Sequence, residues 1–337
     1  MTDRVLVTGA SGFIAKHIVL QLVRDGVAVR GSVRSASKAD EVRAVLRRHG
    51  CDPELFEPIE LDLAQEAGWQ IAARDCRYVL HTASPFPGRQ PRGKFALVPA
   101  ARDGTLRALK AAREAGCERV VVTSSVAAVF YGYPRDDARV FGEQDVSRIE
   151  SDAISPYAVS KTVAEEAAWA FSREHGLSLA TVNPALVFGP ALDSVLGTSA
   201  MLVDWMARRR IPFLPDVTFG IADVRDVATA HVRAMPHPEA ARRRFIVSGG
   251  ERTLRSVAAT ARAANPGALG FAPLPIPSGL VRAGARVVPP LAMLAEEVDR
   301  IKSLDTTPLR ELLGITPRSP EVAVQDLVES IMQYGRS

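Results

Sequence analysis

The sequence predicts an α/β protein: a Rossmann-type, doubly wound parallel sheet with a smaller, discontinuous C-terminal lobe. Three observations carry that prediction. Short apolar runs alternate with helix-period patterns from the first residues to about residue 184. The runs are apolar at successive positions, as strands are when helices cover both faces of a parallel sheet. The first run leads straight into Thr8-Gly9-Ala10-Ser11-Gly12-Phe13-Ile14-Ala15, a glycine-rich turn between a strand and a helix.

The elements follow in order. Val5-Leu6-Val7 reads as a buried strand from its β-branched content. Residues 14–24 have helical spacing, with Ile14, Ile18, Leu22 and Val23 on one stripe, and Asp25-Gly26 ends the helix. Residues 27–33 form the second strand, 38–48 a charged helix, and 56–61 the third strand, which ends at Asp62-Leu63. Residues 78–82 form the fourth strand, 98–115 a long helix, and 120–124 the fifth strand. A helix over 156–175 precedes a sixth strand from Leu177, stopped by Asn183-Pro184. Right-handed crossovers then set the ligand edge at the carboxyl ends of the strands.

Beyond Pro184 the pattern loosens, and prolines become dense between residues 266 and 290. Phe245-Ile246-Val247 reads as one more strand of the main sheet, and residues 223–235 as a helix returning to it. The expected division is 1–184 plus about 223–247 for a dinucleotide-binding domain, and about 185–222 plus 248–337 for a substrate-binding lobe. A cleft between the two is the expected ligand site.

Composition narrows the function classes. Hydrophobic residues make up 47% of the 337, too many for a disordered chain. The net charge of +4 is mild, and Arg208-Arg209-Arg210 and Arg242-Arg243-Arg244 lack interleaved aromatics. Both runs are expected to be solvated faces or turn ends, with no nucleic-acid surface. Cys51, Cys76 and Cys117 have no metal-ligand spacing and the six histidines form no i, i+4 pair, so no metal site is expected. A strand beginning by Arg4 leaves no room for a signal peptide, and no apolar stretch approaches membrane-spanning length. A cytoplasmic protein without membrane contact is expected.

The glycine turn is the candidate phosphate site. Gly9 permits a tight turn, Gly12 admits a pyrophosphate close to backbone, and small Ala15 lets the helix pack near the sheet. Thr8, Ser11, Phe13 and Ile14 complete the contacts expected around the helix start, whose free N–H groups favour anions. The second strand ends in Gly31-Ser32-Val33-Arg34, followed by Lys38, with no acidic residue before Asp40. A carboxylate there would take a ribose 2′-hydroxyl. A guanidinium instead suits a phosphate, so Arg34, helped by Lys38 and Ser32, is expected to hold the 2′-phosphate of NADP(H). Asp62 and Leu63 are expected beside the adenine. Asp62 has a second reading as a helix cap, and the two roles can coexist. Thr82, Ala83 and Ser84 follow the fourth strand at the same edge, and Phe86 is expected to point towards substrate. His81 reads as a satisfied buried histidine rather than a catalytic one.

The catalytic candidates are Ser125, Tyr157 and Lys161. Tyr157 and Lys161 are four residues apart and share a helix face. A free tyrosine, with a pKa near ~10, is a poor base at neutral pH. A neighbouring ammonium favours the phenolate, so Lys161 is expected to lower that value and also to reach ribose hydroxyls. Ser125 is expected to donate to a substrate oxygen. Ser124 competes for that role, but alternate strand residues face opposite sides, and Ser125 lies nearer the sheet edge.

With these residues assembled, the chain resembles the extended short-chain dehydrogenase/reductases, and more narrowly their dihydroflavonol reductase-like branch. The resemblance rests on the glycine turn, Gly31-Ser32-Val33-Arg34, His81-Thr82-Ala83-Ser84-Pro85-Phe86 and Val122-Thr123-Ser124-Ser125. It continues through Tyr157-Ala158-Val159-Ser160-Lys161, the segment from Asn183 to Pro190, Asp223-Val224-Arg225-Asp226 and the segment from Asp305 to Gly314. It implies that Ser125, Tyr157 and Lys161 are catalytic and that Arg34 meets the 2′-phosphate. It also implies that backbone at Pro184, with Val187 as a weaker contact, lies near the nicotinamide.

The activity implied is reversible, NADPH-dependent reduction of an aldehyde or ketone to an alcohol, with hydride from nicotinamide and a proton from Tyr157. Plant members place a polar residue soon after the catalytic serine, whereas Val126-Ala127-Ala128 is apolar here. An apolar carbonyl substrate is therefore expected, with Phe86, Val126, Phe130, Phe188, Thr198 and Met201 as pocket walls. Two other readings stand beside it: a nucleotide-sugar epimerase or dehydratase on the same scaffold, and a non-catalytic NADP-binding sensor. The chain is expected to act on a small molecule as a monomer or homodimer.

Overall fold

The computed structural model describes residues 4–84, 93–152, 154–207, 213–265, 274–284, 295 and 297–334. Its strands are β1 (Arg4–Thr8), β2 (Ala28–Val33), β3 (Phe56–Glu60), β4 (Tyr78–His81), β5 (Arg119–Thr123), β6 (Leu179–Pro184), β7 (Leu186–Phe188), β8 (Phe213–Pro215), β9 (Thr218–Asp223), β10 (Arg244–Val247), β11 (Glu251–Thr253) and β12 (Leu274–Ile276). Seven of them form one sheet in the order β3-β2-β1-β4-β5-β6-β10. Every pairing in it is parallel. The order reverses between β1 and β4, and the crevice outside the carboxyl ends of those strands is where such sheets bind ligands.

The helices are α1 (Phe13–Arg24), α2 (Ala36–Arg48), α3 (Trp69–Ala73), α4 (Val98–Glu114), α5 (Pro156–His175), α6 (Thr198–Ala207), α7 (Val224–Ala234), α8 (Leu254–Ala264), α9 (Ser278–Gly284), α10 (Thr307–Glu311) and α11 (Pro320–Tyr334). Strand parity explains the double winding. Val5, Val7, Leu80, Val121 and Val182 pack with Ile18 and Leu22 of α1, Leu46 of α2 and Val227 of α7. Their neighbours Leu6, Val79, Val120, Val122 and Leu179 face the other way, onto Trp69 of α3, Leu109 of α4 and Ala168 of α5. Each strand therefore buries both faces, which is why its sequence is apolar without alternation.

A three-stranded sheet stands beyond β6, with β9 parallel to β7 and antiparallel to β11; β8 and β12 make a separate parallel pair. A second apolar cluster forms here from Phe188, Val203, Leu214, Ile221, Val257 and Leu327. Leu309, Leu313 and Ile315, around α10, join the main core instead.

Two local expectations are corrected. Asn183-Pro184 does not stop the sixth strand, which runs through both residues and pairs Pro184 with Val247. Proline is tolerated there because it is the last residue of the strand, and the next donor, the N–H of Ala185, bonds the Val247 carbonyl at 3.0 Å. Helix α3 has no counterpart in the sequence reading, because five residues are too few to display a period.

Candidate active site

The β1–α1 turn is shaped by what glycine lacks. Gly9 has φ +65°, and a Cβ on it would lie 3.0 Å from the Ala83 Cβ, so backbone from two strand ends meets here. The turn is tied down by the hydroxyl of Ser32, which accepts from the Gly9 N–H at 2.9 Å. Ser32 also lines the cleft. Thr8 is fully buried. Its Oγ1 accepts from the N–H groups of Thr82 and Ala83, both at 3.1 Å, and pairs with His81 Nδ1 at 3.0 Å. Thr8 thus stitches β1 to the loop after β4, and its side chain is not at the cleft. His81 is the satisfied buried histidine expected, pushed down to about 3 by burial.

These elements open onto one cleft of about 990 Å³ along the carboxyl edge of the sheet. Gly9, Gly12, Phe13, Ile14, Arg34, Asp62, Leu63, Thr82, Ala83 and Ser84 line it, together with Ser125, Tyr157, Lys161, Pro184 and Val187. Arg34 is exposed and makes no hydrogen bond or ion pair among the described residues. Lys38 is engaged elsewhere, its Nζ bonding both oxygens of Glu41 at 2.7 and 3.0 Å. Ser11 is half-buried and outside the lining. The Asp62 Oδ1 accepts from the Ala64 N–H at 2.9 Å, closing a turn rather than starting a helix, while its residue still borders the cleft. The Leu63 carbonyl is taken by Arg107 Nη1 at 3.0 Å.

The two serines at the end of β5 separate by parity. Ser124 donates to the buried carboxylate of Glu165. Ser125 caps a short 3₁₀ turn, accepting from the Ala127 N–H at 3.1 Å, and borders the same cleft as Tyr157. Helix α5 presents Tyr157 and Lys161 on one face because they are one turn apart; Ser155 starts the helix, accepting from the Ala158 N–H at 3.2 Å, and Pro156 occupies its first position. Lys161 Nζ donates to the Thr123 carbonyl at 3.4 Å.

The electrostatics differ from the expectation for Tyr157. Burial raises its phenol above the ordinary range, and Ser125 opposes that. Burial also dominates at Lys161, which is pushed down to about 8 against the attraction of Glu165. The tyrosine therefore holds its proton firmly in the protein alone.

Of the expected pocket walls, Val126, Phe130 and Thr198 line the cleft. Phe188 is fully buried in the second apolar cluster, and Met201 is exposed outside the lining. Phe86 lies outside the described residues. The wall also includes Tyr131, Leu202, Phe213, Phe219 and Leu254. Leu202, next to Met201 on α6, is a matter of helical phase that a weakly amphipathic segment does not reveal. One further correction concerns Arg244, expected on a solvated face. It is buried and bonds Glu165 through Nε at 2.7 Å and Nη2 at 2.6 Å. Glu165 itself carried a sequence signal that went unread: an acidic residue on the Tyr157-Lys161 stripe, one turn further on.

Among the described residues no group of three or more His, Cys, Asp or Glu side chains is placed to hold a metal ion, and no helix is long and apolar enough to cross a membrane.

Comparison with known proteins matches this architecture. The model of the NAD dependent epimerase/dehydratase family matches residues 5–248. The chain is 37% identical to cinnamoyl-CoA reductase CAD2 of Medicago truncatula over 247 residues, covering 72% of this chain and 75% of that protein. It is 35% identical to the NADPH-dependent methylglyoxal reductase GRE2 of Saccharomyces cerevisiae over 276 residues, 75% of this chain and 80% of that one. The crystal structure of yeast methylglyoxal/isovaleraldehyde reductase Gre2 complexed with NADPH superposes with a TM-score of 0.81 at 31% identity, over 99% of this chain and 100% of the other.

Proposed function

The chain belongs to the NAD dependent epimerase/dehydratase family, among the extended short-chain dehydrogenase/reductases of the dihydroflavonol reductase-like branch, and on that premise we propose that it is an NADPH-dependent reductase of small aldehydes or ketones. The observation that carries this reading is the placing of Ser125, Tyr157 and Lys161 in the same cleft as the glycine turn. The residues present fit the cofactor. Gly9 and Gly12 bring the β1–α1 turn to the cleft, and Arg34 offers an unengaged guanidinium at the end of β2. When bound, NADPH supplies hydride to the carbonyl carbon.

The protein's own part is positional and protonic. Ser125 orients the substrate oxygen. Tyr157, which burial keeps protonated, gives that oxygen its proton. Lys161 offers its ammonium to the ribose and to the phenolate left behind. The cofactor lies on residues 1–184 with 223–247, and the substrate against residues 185–222 and 248–337. Leu202, Phe213, Phe219 and Leu254 make that side apolar, which suits an apolar carbonyl compound. Arg34 at the end of β2 disfavours the nucleotide-sugar reading, whose chemistry keeps a permanently bound NAD.

The test is NADPH depletion by purified protein over aromatic and aliphatic aldehydes, ketoesters and diketones, with NADH in parallel. Oxidation of NADPH by at least one carbonyl compound is expected. A dinucleotide that stays bound through gel filtration, with no depletion by any substrate, would sink the reductase reading in favour of the epimerase one.

A further inference from the structure

Helix α5 carries a second ionisable group on its buried face, one turn beyond Lys161. The Glu165 side chain is 1% exposed. Its Oε2 accepts from Ser124 Oγ and from Asn183 Nδ2 at 2.8 Å, and its Oε1 from Trp169 Nε1 at 3.0 Å and from the Arg244 guanidinium. Asn183 passes the contact on. Its Nδ2 also donates to the Ser125 carbonyl at 3.1 Å, and its Oδ1 accepts from Thr181 Oγ1 at 2.8 Å. Arg244 is anchored in turn by the carbonyls of Glu143 and Asp145, at 2.9 and 2.5 Å. Lys161 and Glu165 line one small cavity together with Thr105 and Thr123.

We propose that Glu165 is a positioning residue for the reaction: it gives Lys161 its counter-charge and, through Asn183, fixes the backbone that carries Ser125. The inference rests on the reductase reading above. An ion pair this deep is not needed for stability alone, since well-packed apolar groups often serve as well. Its location offers the better reason. It joins β5, β6, β10 and α5 directly beneath the catalytic side chains.

The charges around Lys161 make the idea testable. Tyr157 and Glu165 face it from α5. His81 on β4 and His231 on α7, the latter reaching Thr123 Oγ1 at 2.7 Å, are both held neutral by burial. The neighbours from β5 and α4 are the uncharged Thr123, Ser124 and Thr105. Arg244 lies behind Glu165. Glu165 is thus the charge that opposes the desolvation of Lys161.

The experiment is NADPH fluorescence titration of the full chain between about pH 7 and 10, with thermal unfolding alongside, for wild type, Glu165→Gln and Arg244→Met. Wild-type affinity is expected to fall along an alkaline limb near the Lys161 value of about 8. Glu165→Gln should move that limb about one pH unit lower. Arg244→Met, which frees the carboxylate from its cation, should move it higher. Both variants break the same ion pair, so general damage predicts lower melting temperatures with the limb unmoved in both; that result overturns the proposal. Should Glu165→Gln fail to fold, Glu165→Gln with Arg244→Met leaves no unpaired buried ion and takes its place: a lowered limb supports the proposal and an unmoved one overturns it. A wild-type chain that binds no NADPH at any pH overturns the reductase reading and this inference with it, whereas an unmoved limb overturns this inference alone.

Discussion

Tyr157 and Ser125 border the same cleft although 32 residues separate them in the chain, from one helix to the end of a strand. Burial pushes the phenol hydroxyl of Tyr157 up, and Ser125 opposes that push. Tyr157→Phe removes that hydroxyl and little else. Turnover is expected to fall by roughly 10²- to 10⁴-fold, the usual worth of a positioned general acid, while NADPH affinity stays within about threefold of wild type. Steady-state kinetics and fluorescence titration check this; near-normal turnover would refute the assigned role.

Arg34 is exposed at the cleft, with no partner among the described residues to compete for it. Arg34→Ala is expected to weaken NADPH binding by about 10- to 100-fold, the worth of a charge-assisted contact, and to leave NADH binding unchanged. Equal losses for both dinucleotides would show that the guanidinium does not read the 2′-phosphate. Lys38→Ala should cost less, because its ammonium already holds Glu41.

Gly31 sits in β2, where a Cβ would fall 2.2 Å from Phe56 Cε2 and 2.8 Å from the Ala10 Cβ. Phe56 is 2% exposed and has no room to swing away. Gly31→Ala is expected to cost about 1–3 kcal/mol as an overpacked core and to lower the melting temperature by several degrees. An unchanged melting curve would contradict the β2–β3 packing described here.

Three histidines are buried and held neutral: His17 and His231 are each pushed down to about 4, and His81 to about 3, with desolvation the main cause. Their folded values lie below the ordinary 6.5, so the unfolded chain takes up protons first as pH falls. Stability is therefore fully present above about pH 6.5 and declines towards about pH 4, each group contributing up to about 1.4 kcal/mol per pH unit in that window. Melting temperatures should hold from pH 7.5 to about 6.5 and fall from there to pH 5. A flat profile would mean that these imidazoles reach solvent or protons in the folded state.

Much of the architecture is legible in local pattern. Parallel strands buried on both faces are continuous apolar runs, and the helix of Tyr157 carries its own start signal in Ser155-Pro156, so its bounds are set by nearby atoms. The glycine turn is legible for the same reason: its geometry depends on what is absent at Gly9, and the chain itself records that. The cleft's far wall is less so. Phe213, Phe219 and Leu254 come from short elements joined by irregular chain, and an aromatic residue that lines a cavity has the same composition as one that fills a core, as Phe188 does.

Residue order alone thus makes legible the strand-and-helix alternation and the glycine turn, each encoded within a few neighbouring positions, and offers Ser125, Tyr157 and Lys161 as candidates that only the fold brings into one cleft. The fate of charge is decided only when distant segments meet. Arg244 looked like part of a solvated basic run and became the buried partner of Glu165, and Tyr157 was expected to be acidified by Lys161 but is governed by burial. Desolvation and long-range pairing depend on the solvent removed around a group, and that is a property of the packed molecule rather than of any stretch of chain.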